Sequence, residues 1–168
     1  MVSLYPVWLI IYGVLAVQLG ILLYNLAYWR RRQLRAGASV GAPTLSVLIP
    51  ARNEVENLPV LLASLAPQLG AGVECWVCDD GSDDGTTEWL AQHAEPLGVR
   101  WFQSEPRPDG WVGKNWACHQ LAAHAQRDWL LFLDADLRCE AGFLDALRAY
   151  LQTTDAHLVS AIPAFAPA

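Results

Sequence analysis

Leu45-Ser46-Val47-Leu48-Ile49-Pro50-Ala51-Arg52-Asn53-Glu54 decides how this 168-residue chain is read. Its first five residues form an apolar run stopped by proline, the pattern of a short buried strand that ends in a polar loop. Leu58, Leu61, Leu62 and Leu65 follow at helical spacing, and Pro59 is tolerated in a first turn. The same strand-then-helix unit then recurs. Residues 73–78 read as a strand ended by Asp79-Asp80-Gly81, and 86–94 as a helix with Asp84 before it. Residues 99–102 read as a third strand, 104–110 as a proline-containing polar loop, and 115–127 as a helix. Residues 129–133 form a fourth strand running into Asp134-Ala135-Asp136. Phe143, Leu144, Leu147 and Leu151 mark another helix, and 157–162 a last strand. Strict alternation of this kind predicts an α/β fold: a mostly parallel sheet with helices on both faces.

Before Leu45 the material changes. Residues 1–29 carry no charge, and Arg30, Arg31, Arg32 and Arg35 follow with no acid before residue 42. Residues 42–168 hold the other 7 bases and all 17 acids, a balance of −10. About 20 apolar residues suffice to span a bilayer as a helix. Tyr5 and Trp8 at one end, and Tyr24, Tyr28 and Trp29 at the other, fit interfacial aromatic belts. A cleaved signal peptide would carry its positive charge first and a small-residue site after its core, the reverse of Trp29-Arg30-Arg31-Arg32. The expectation is therefore one transmembrane helix preceding the α/β domain. Residues 1–35 are anchor and basic collar, 36–43 a small-residue linker, and 44–168 the domain. The positive-inside rule places the amino terminus outside the inner or plasma membrane and the domain in the cytosol, where thiols stay reduced.

The composition, 54% hydrophobic and 17% charged, excludes a disordered chain. A domain this acidic is not expected to bind nucleic acid, because its field repels phosphate. Four cysteines make no disulfide scaffold, and Cys75 and Cys78 sit three apart in a strand, where they face opposite sides. No grouping of His93, His119, His124 or His157 suggests a metal site.

The polar residues collect after the strands: Arg52, Asn53 and Glu54; Asp79 and Asp80; Ser104 and Glu105; Asp134 and Asp136. Ligands of open α/β sheets bind beyond the carboxyl ends of the strands. A polar loop after one strand is ordinary; paired acids after two different buried strands are less so. Asp134 and Asp136, at i and i+2, are expected on one side, where two carboxylates need a cation. Hard oxygen ligands suit Mg²⁺ or Mn²⁺, commonly shared with substrate phosphates. Asp83, Asp84 and Thr86 are assigned to turn and cap work, leaving Asp79 and Asp80 placed to hydrogen-bond a base or ribose. Gly110-Trp111-Val112-Gly113-Lys114-Asn115 opens a helix; glycine permits close backbone approach, and a helix start with a lysine favours an anion. The spacing is not that of a Walker A loop.

Taken together, the strings Ser46–Glu54, Cys78–Thr86 and Leu131–Asp136, in this order, resemble family 2 glycosyltransferases of the GT-A fold. Residues 110–118 resemble the membrane-bound branch that includes hopanoid-associated and carotenoid-type enzymes. The resemblance implies a nucleotide-sugar donor, usually a UDP-sugar, and a lipid or other membrane-associated acceptor. It implies that Pro50, Ala51, Arg52 and Glu54, with Asp79 and Asp80, hold the nucleoside. Lys114 falls near the base or diphosphate, Asp134 near the ribose or sugar and beside the metal, and Asp136 on the metal. It implies transfer with inversion and a general base, an Asp well downstream of the D-x-D. Only Glu140, Asp145 and Asp155 follow Asp136 here, none in that motif's context. The base is therefore unassigned, and a separately encoded acceptor half is an expected partner. A receiver domain would need a lysine after a later strand, and none follows Lys114. A haloacid-dehalogenase-like phosphatase would continue its D-x-D differently from Leu137-Arg138. A membrane-anchored module that binds nucleotide without turnover remains a second reading.

Overall fold

The computed structural model describes residues 5–32 and 42–164, and divides the chain into two compact units, 1–38 and 39–168. The first unit is one helix, α1 (Tyr5–Arg32), of 28 residues. Its side chains are described at position 8 and from 12 to 24, and all of them are exposed, Val14, Leu15, Leu19 and Ile21 among them. Among the described residues no helix is long and apolar enough to cross a membrane, so the expected span is not supported by α1 as described. The side chains of Arg30, Arg31 and Arg32 and residues 36–41 of the expected linker lie outside the described ones.

In the second unit the elements run β1 (Leu45–Ala51), α2 (Leu58–Leu65), β2 (Val73–Asp79), α3 (Thr86–His93), β3 (Arg100–Gln103), α4 (Gly113–His124), β4 (Trp129–Phe132) and α5 (Phe143–Leu151). The four strands form one sheet in the order β3-β2-β1-β4, and every pairing is parallel. β1 is central and almost wholly buried, which is why it reads as a continuous apolar run. Leu45, Val47 and Ile49 join Cys75, Val77, Leu58, Leu61, Leu62, Leu65, Leu90 and Leu144 in a core on one face. Leu48, Cys78, Ala117 and Leu121 form a smaller core on the other. Helices thus cover both faces, as the alternation predicts. Cys75 and Cys78 fall into different cores, as their spacing requires, and burial pushes both thiols up to about 12.

The expected last strand is absent. Residues 157–162 take no strand conformation; Leu158 is 89% and Ile162 86% exposed. A β-rich segment becomes a strand only with a partner to share its hydrogen bonds. The α4 helix also starts two residues earlier than its apolar stripe suggests, at the buried Gly113, which has no side chain to add to a stripe.

Candidate functional site

The strand order places a topological switch at the β1–β4 boundary: the chain winds outward from β1 through β2 to β3, then crosses back to β4 on the other side of β1. Above that boundary lies a cavity of about 370 Å³, lined by Pro50, Ala51, Arg52, Glu54, Asp80, Arg107, Gly113, Lys114, Ala117, Asp134, Ala135 and Asp136.

Its floor is set by backbone ties. The Asp80 amide donates to the Ala51 carbonyl at 2.8 Å, and the Ser104 amide to the Asp79 carbonyl at 2.8 Å, so the loops leave the strands side by side. Asn53 takes a left-handed φ of 57°, which Asn tolerates. Its amide donates to Ser82 Oγ at 2.9 Å, and its Oδ1 accepts from the Asp83 amide at 2.9 Å. The Glu54 amide donates to Thr86 Oγ1 at 2.9 Å. Asp84 Oδ1 accepts from the Thr86 amide and hydroxyl, and Oδ2 from the Val55 amide, as turn work requires. Over the strand ends, α4 is pinned by Gln120. Its Nε2 donates to Ser104 Oγ at 2.8 Å, and its Oε1 accepts from the Glu105 amide at 2.9 Å.

Eight of the nine residues singled out from the sequence meet here: Pro50, Ala51, Arg52, Glu54, Asp80, Lys114, Asp134 and Asp136. Asp79 does not, and its expected contact with a base or ribose is corrected. It is fully buried. One carboxylate oxygen accepts from the Ser82 amide at 3.1 Å and the Ser82 hydroxyl at 2.5 Å, and the other from the Thr87 hydroxyl. Asp79 is the staple of the loop that presents Asp80. Asp134 and Asp136 do share one side, but β4 stops at Phe132 and the pair lies in the turn beyond it. Ala135, 3% exposed, points into the core between them.

Of the cavity's other four residues, Arg107, Gly113, Ala117 and Ala135, the first two bear on its chemistry. Arg107 lies in the polar loop after β3, where nothing in the spacing separates it from a solvated arginine. Gly113 is where α4 meets Asp80: a Cβ there would lie 2.6 Å from Asp80 Oδ2. The glycine-containing string signals close approach without saying to what.

Lys114 Nζ donates to Asp134 Oδ1 at 2.6 Å, and this bond holds the ammonium pKa above its ordinary value. Asp136 has no hydrogen bond or ion pair with the described residues. Four carboxylates against three cations leave the cavity close to neutral. A diphosphate entering it would therefore need added positive charge. The donor set fits Mg²⁺ or Mn²⁺ on those terms. Asp134 and Asp136 offer hard oxygens, and no group of three or more His, Cys, Asp or Glu among the described residues forms a cage of its own.

A parallel sheet with a charged crevice at its switch point defines an open α/β ligand-binding domain. Residues 46–166 match the model of the glycosyl transferase family 2, and the chain belongs to that family. It is 37% identical over 140 residues to the 4,4'-diaponeurosporenoate glycosyltransferase of Staphylococcus haemolyticus, covering 80% of this chain and 34% of that protein. The carotenoid-type resemblance is thereby borne out. Among solved structures, S. aureus TarS 1–349 in complex with UDP-GlcNAc matches with a TM-score of 0.51 and 28% identity, over 63% of this chain and 30% of that one. Glucosyl-3-phosphoglycerate synthase from Mycobacterium tuberculosis, in complex with Mn²⁺, UDP and glucosyl-3-phosphoglycerate, matches with a TM-score of 0.52 and 26% identity, over 67% and 41%. The chain spans about a third of the length of the curated relatives it matches.

Proposed function

We propose that residues 44–168 form the donor-binding part of a family 2 glycosyltransferase that transfers a sugar, with inversion, from a UDP-sugar to a lipid acceptor. The observation that carries this is the crevice at the β1–β4 switch, which gathers Arg52, Asp80, Lys114, Asp134 and Asp136. Pro50, Ala51, Arg52, Glu54 and Asp80 hold the nucleoside. Arg52, Arg107 and Lys114 supply charge to the diphosphate. Asp134 and Asp136 would hold Mg²⁺ or Mn²⁺ together with diphosphate oxygens, offsetting the charge that grows on the leaving group. The lipid acceptor is supported by the name of the S. haemolyticus relative. The general base is assigned to no residue of this chain.

Location at the inner or plasma membrane, with the amino terminus outside and the domain in the cytosol, belongs to the same proposal. Its support is a helix of 28 residues with apolar side chains exposed all round where described. Arg30, Arg31 and Arg32 at its end set the direction.

Calorimetry of the purified chain with UDP, with and without Mn²⁺, is the test. The expected result is binding that tightens with Mn²⁺, with the tightening lost in Asp136→Ala. Absence of UDP binding in both conditions would overturn the assignment. A membrane-anchored module that binds nucleotide without turnover is the second reading. Glycolipid formed from labelled UDP-sugar and a membrane lipid extract would exclude it.

A further inference from the structure

Resting on the donor-site reading above, we infer that Lys114 is the stand-in cation of Asp134. An incoming nucleoside diphosphate draws its ammonium off that carboxylate and so opens Asp134 to a divalent cation. Three observations meet in one place. Lys114 Nζ lies 2.6 Å from Asp134 Oδ1, on the carboxylate that the cation would need. The two side chains are 61% and 58% exposed, so the pair is held by charge and not by packing. An exposed pair of this kind is worth at most about fivefold in an equilibrium constant, which makes it easy to exchange. Third, Lys114 is the second residue of α4, a 12-residue helix whose amino end favours anions and disfavours an ammonium. Asp134 compensates that charge, and a diphosphate would compensate it better. Lysine suits the task, being a point charge on a flexible stem with no fixed fork to satisfy. Arg52 and Arg107 line the same cavity, yet among the described residues Lys114 alone of the three is ion-paired.

The exchange makes the two ligands dependent on each other. Without nucleotide, the ammonium competes with the metal for Asp134. With nucleotide, the competitor has moved to the phosphates. Removing the lysine should therefore have opposite effects on the two ligands taken separately, which a lysine that only braces Asp134 would not produce.

The test uses the purified chain, Lys114→Met and Arg107→Met. Mn²⁺ binding without nucleotide is read from the paramagnetic resonance of the free ion, and UDP binding without metal by calorimetry. Lys114→Met should bind Mn²⁺ alone about two- to fivefold more tightly, the scale of the lost pair. It should bind UDP alone about tenfold more weakly, the scale of a lost charge-assisted hydrogen bond. Arg107→Met removes the same charge from the same cavity without touching Asp134, and should tighten Mn²⁺ less. The exchange is overturned if Lys114→Met leaves Mn²⁺ affinity unchanged or lower, or if Arg107→Met raises it equally. Failure of the parent reading looks different: the unaltered chain would take up no UDP at all.

Discussion

At the amino ends of β1 and β2, Glu74 is 8% exposed, and its Oε1 accepts from the Ser46 hydroxyl at 2.7 Å and the Gln126 amide at 2.7 Å. Arg100 lies 3.7 Å from its Oε2 and its guanidinium over the Trp76 ring. At the carboxyl ends of the same sheet, Asp134 and Asp136 are exposed, one hydrogen-bonded to Lys114 and the other in no hydrogen bond or ion pair with the described residues. Both ends carry acids beside strands. One end has used its acids to close the fold; the other has left them open. Acidic residues near strand ends therefore do not mark a site. Acids that converge on a cavity with oxygens the fold has not used are the ones available to a ligand.

The sharpest way to break this contrast is to remove one acid from each end. Glu74→Ala should cost about 2–3 kcal/mol in chemical denaturation, because it orphans Ser46 and the Gln126 amide. Asp136→Ala should stay within about 0.5 kcal/mol of the parent. Similar losses at both ends would erase the distinction.

Next in size is Gly113→Ala. Its Cβ cannot coexist with Asp80 Oδ2 at 2.6 Å, so the carboxylate must turn away. UDP affinity should fall by about tenfold, roughly the worth of a hydrogen bond to a charged group, with little change in stability. Combined with Asp80→Ala, the two losses should not add. Full additivity would show that the glycine acts elsewhere.

A smaller effect separates the ends by pH. Burial pushes the Glu74 carboxyl up, but the hydrogen bonds from Ser46 and Gln126 outweigh it and leave its pKa below the ordinary value. A group depressed in the folded state stabilises the fold above its unfolded pKa, about 4.3 for glutamate. That stability is lost as pH falls through the folded value. The stability difference between the parent and Glu74→Gln should accordingly shrink as denaturation is measured at pH values falling through and below that range. A constant difference would sever the carboxylate from the effect.

The smallest expected effect is none at all. Cys75 and Cys78, with thiols pushed up to about 12, should resist alkylation near neutral pH in the native state and react on unfolding. Native labelling of either would mean that the sheet opens more readily than its cores suggest.

The sequence by itself carried the order of strands and helices, the parallel class, and the clustering of Arg52, Asp80, Lys114, Asp134 and Asp136 beyond strand ends. Period and punctuation are local properties, and four strands alternating with helices, each strand ended by a turn or polar loop, leave few ways to fold. Contacts distant in sequence had to come from the tertiary structure. Asp79 and Asp80 are neighbours with the same chemistry, yet the loop folds one inward onto Ser82 and Thr87 and turns the other to the cavity. Arg107 and Gly113 acquire meaning only because α4 is pinned over the strand ends by Gln120. Residues 157–162 have the composition of a strand and lack a partner, and pairing is decided by what lies alongside, not by what the segment contains.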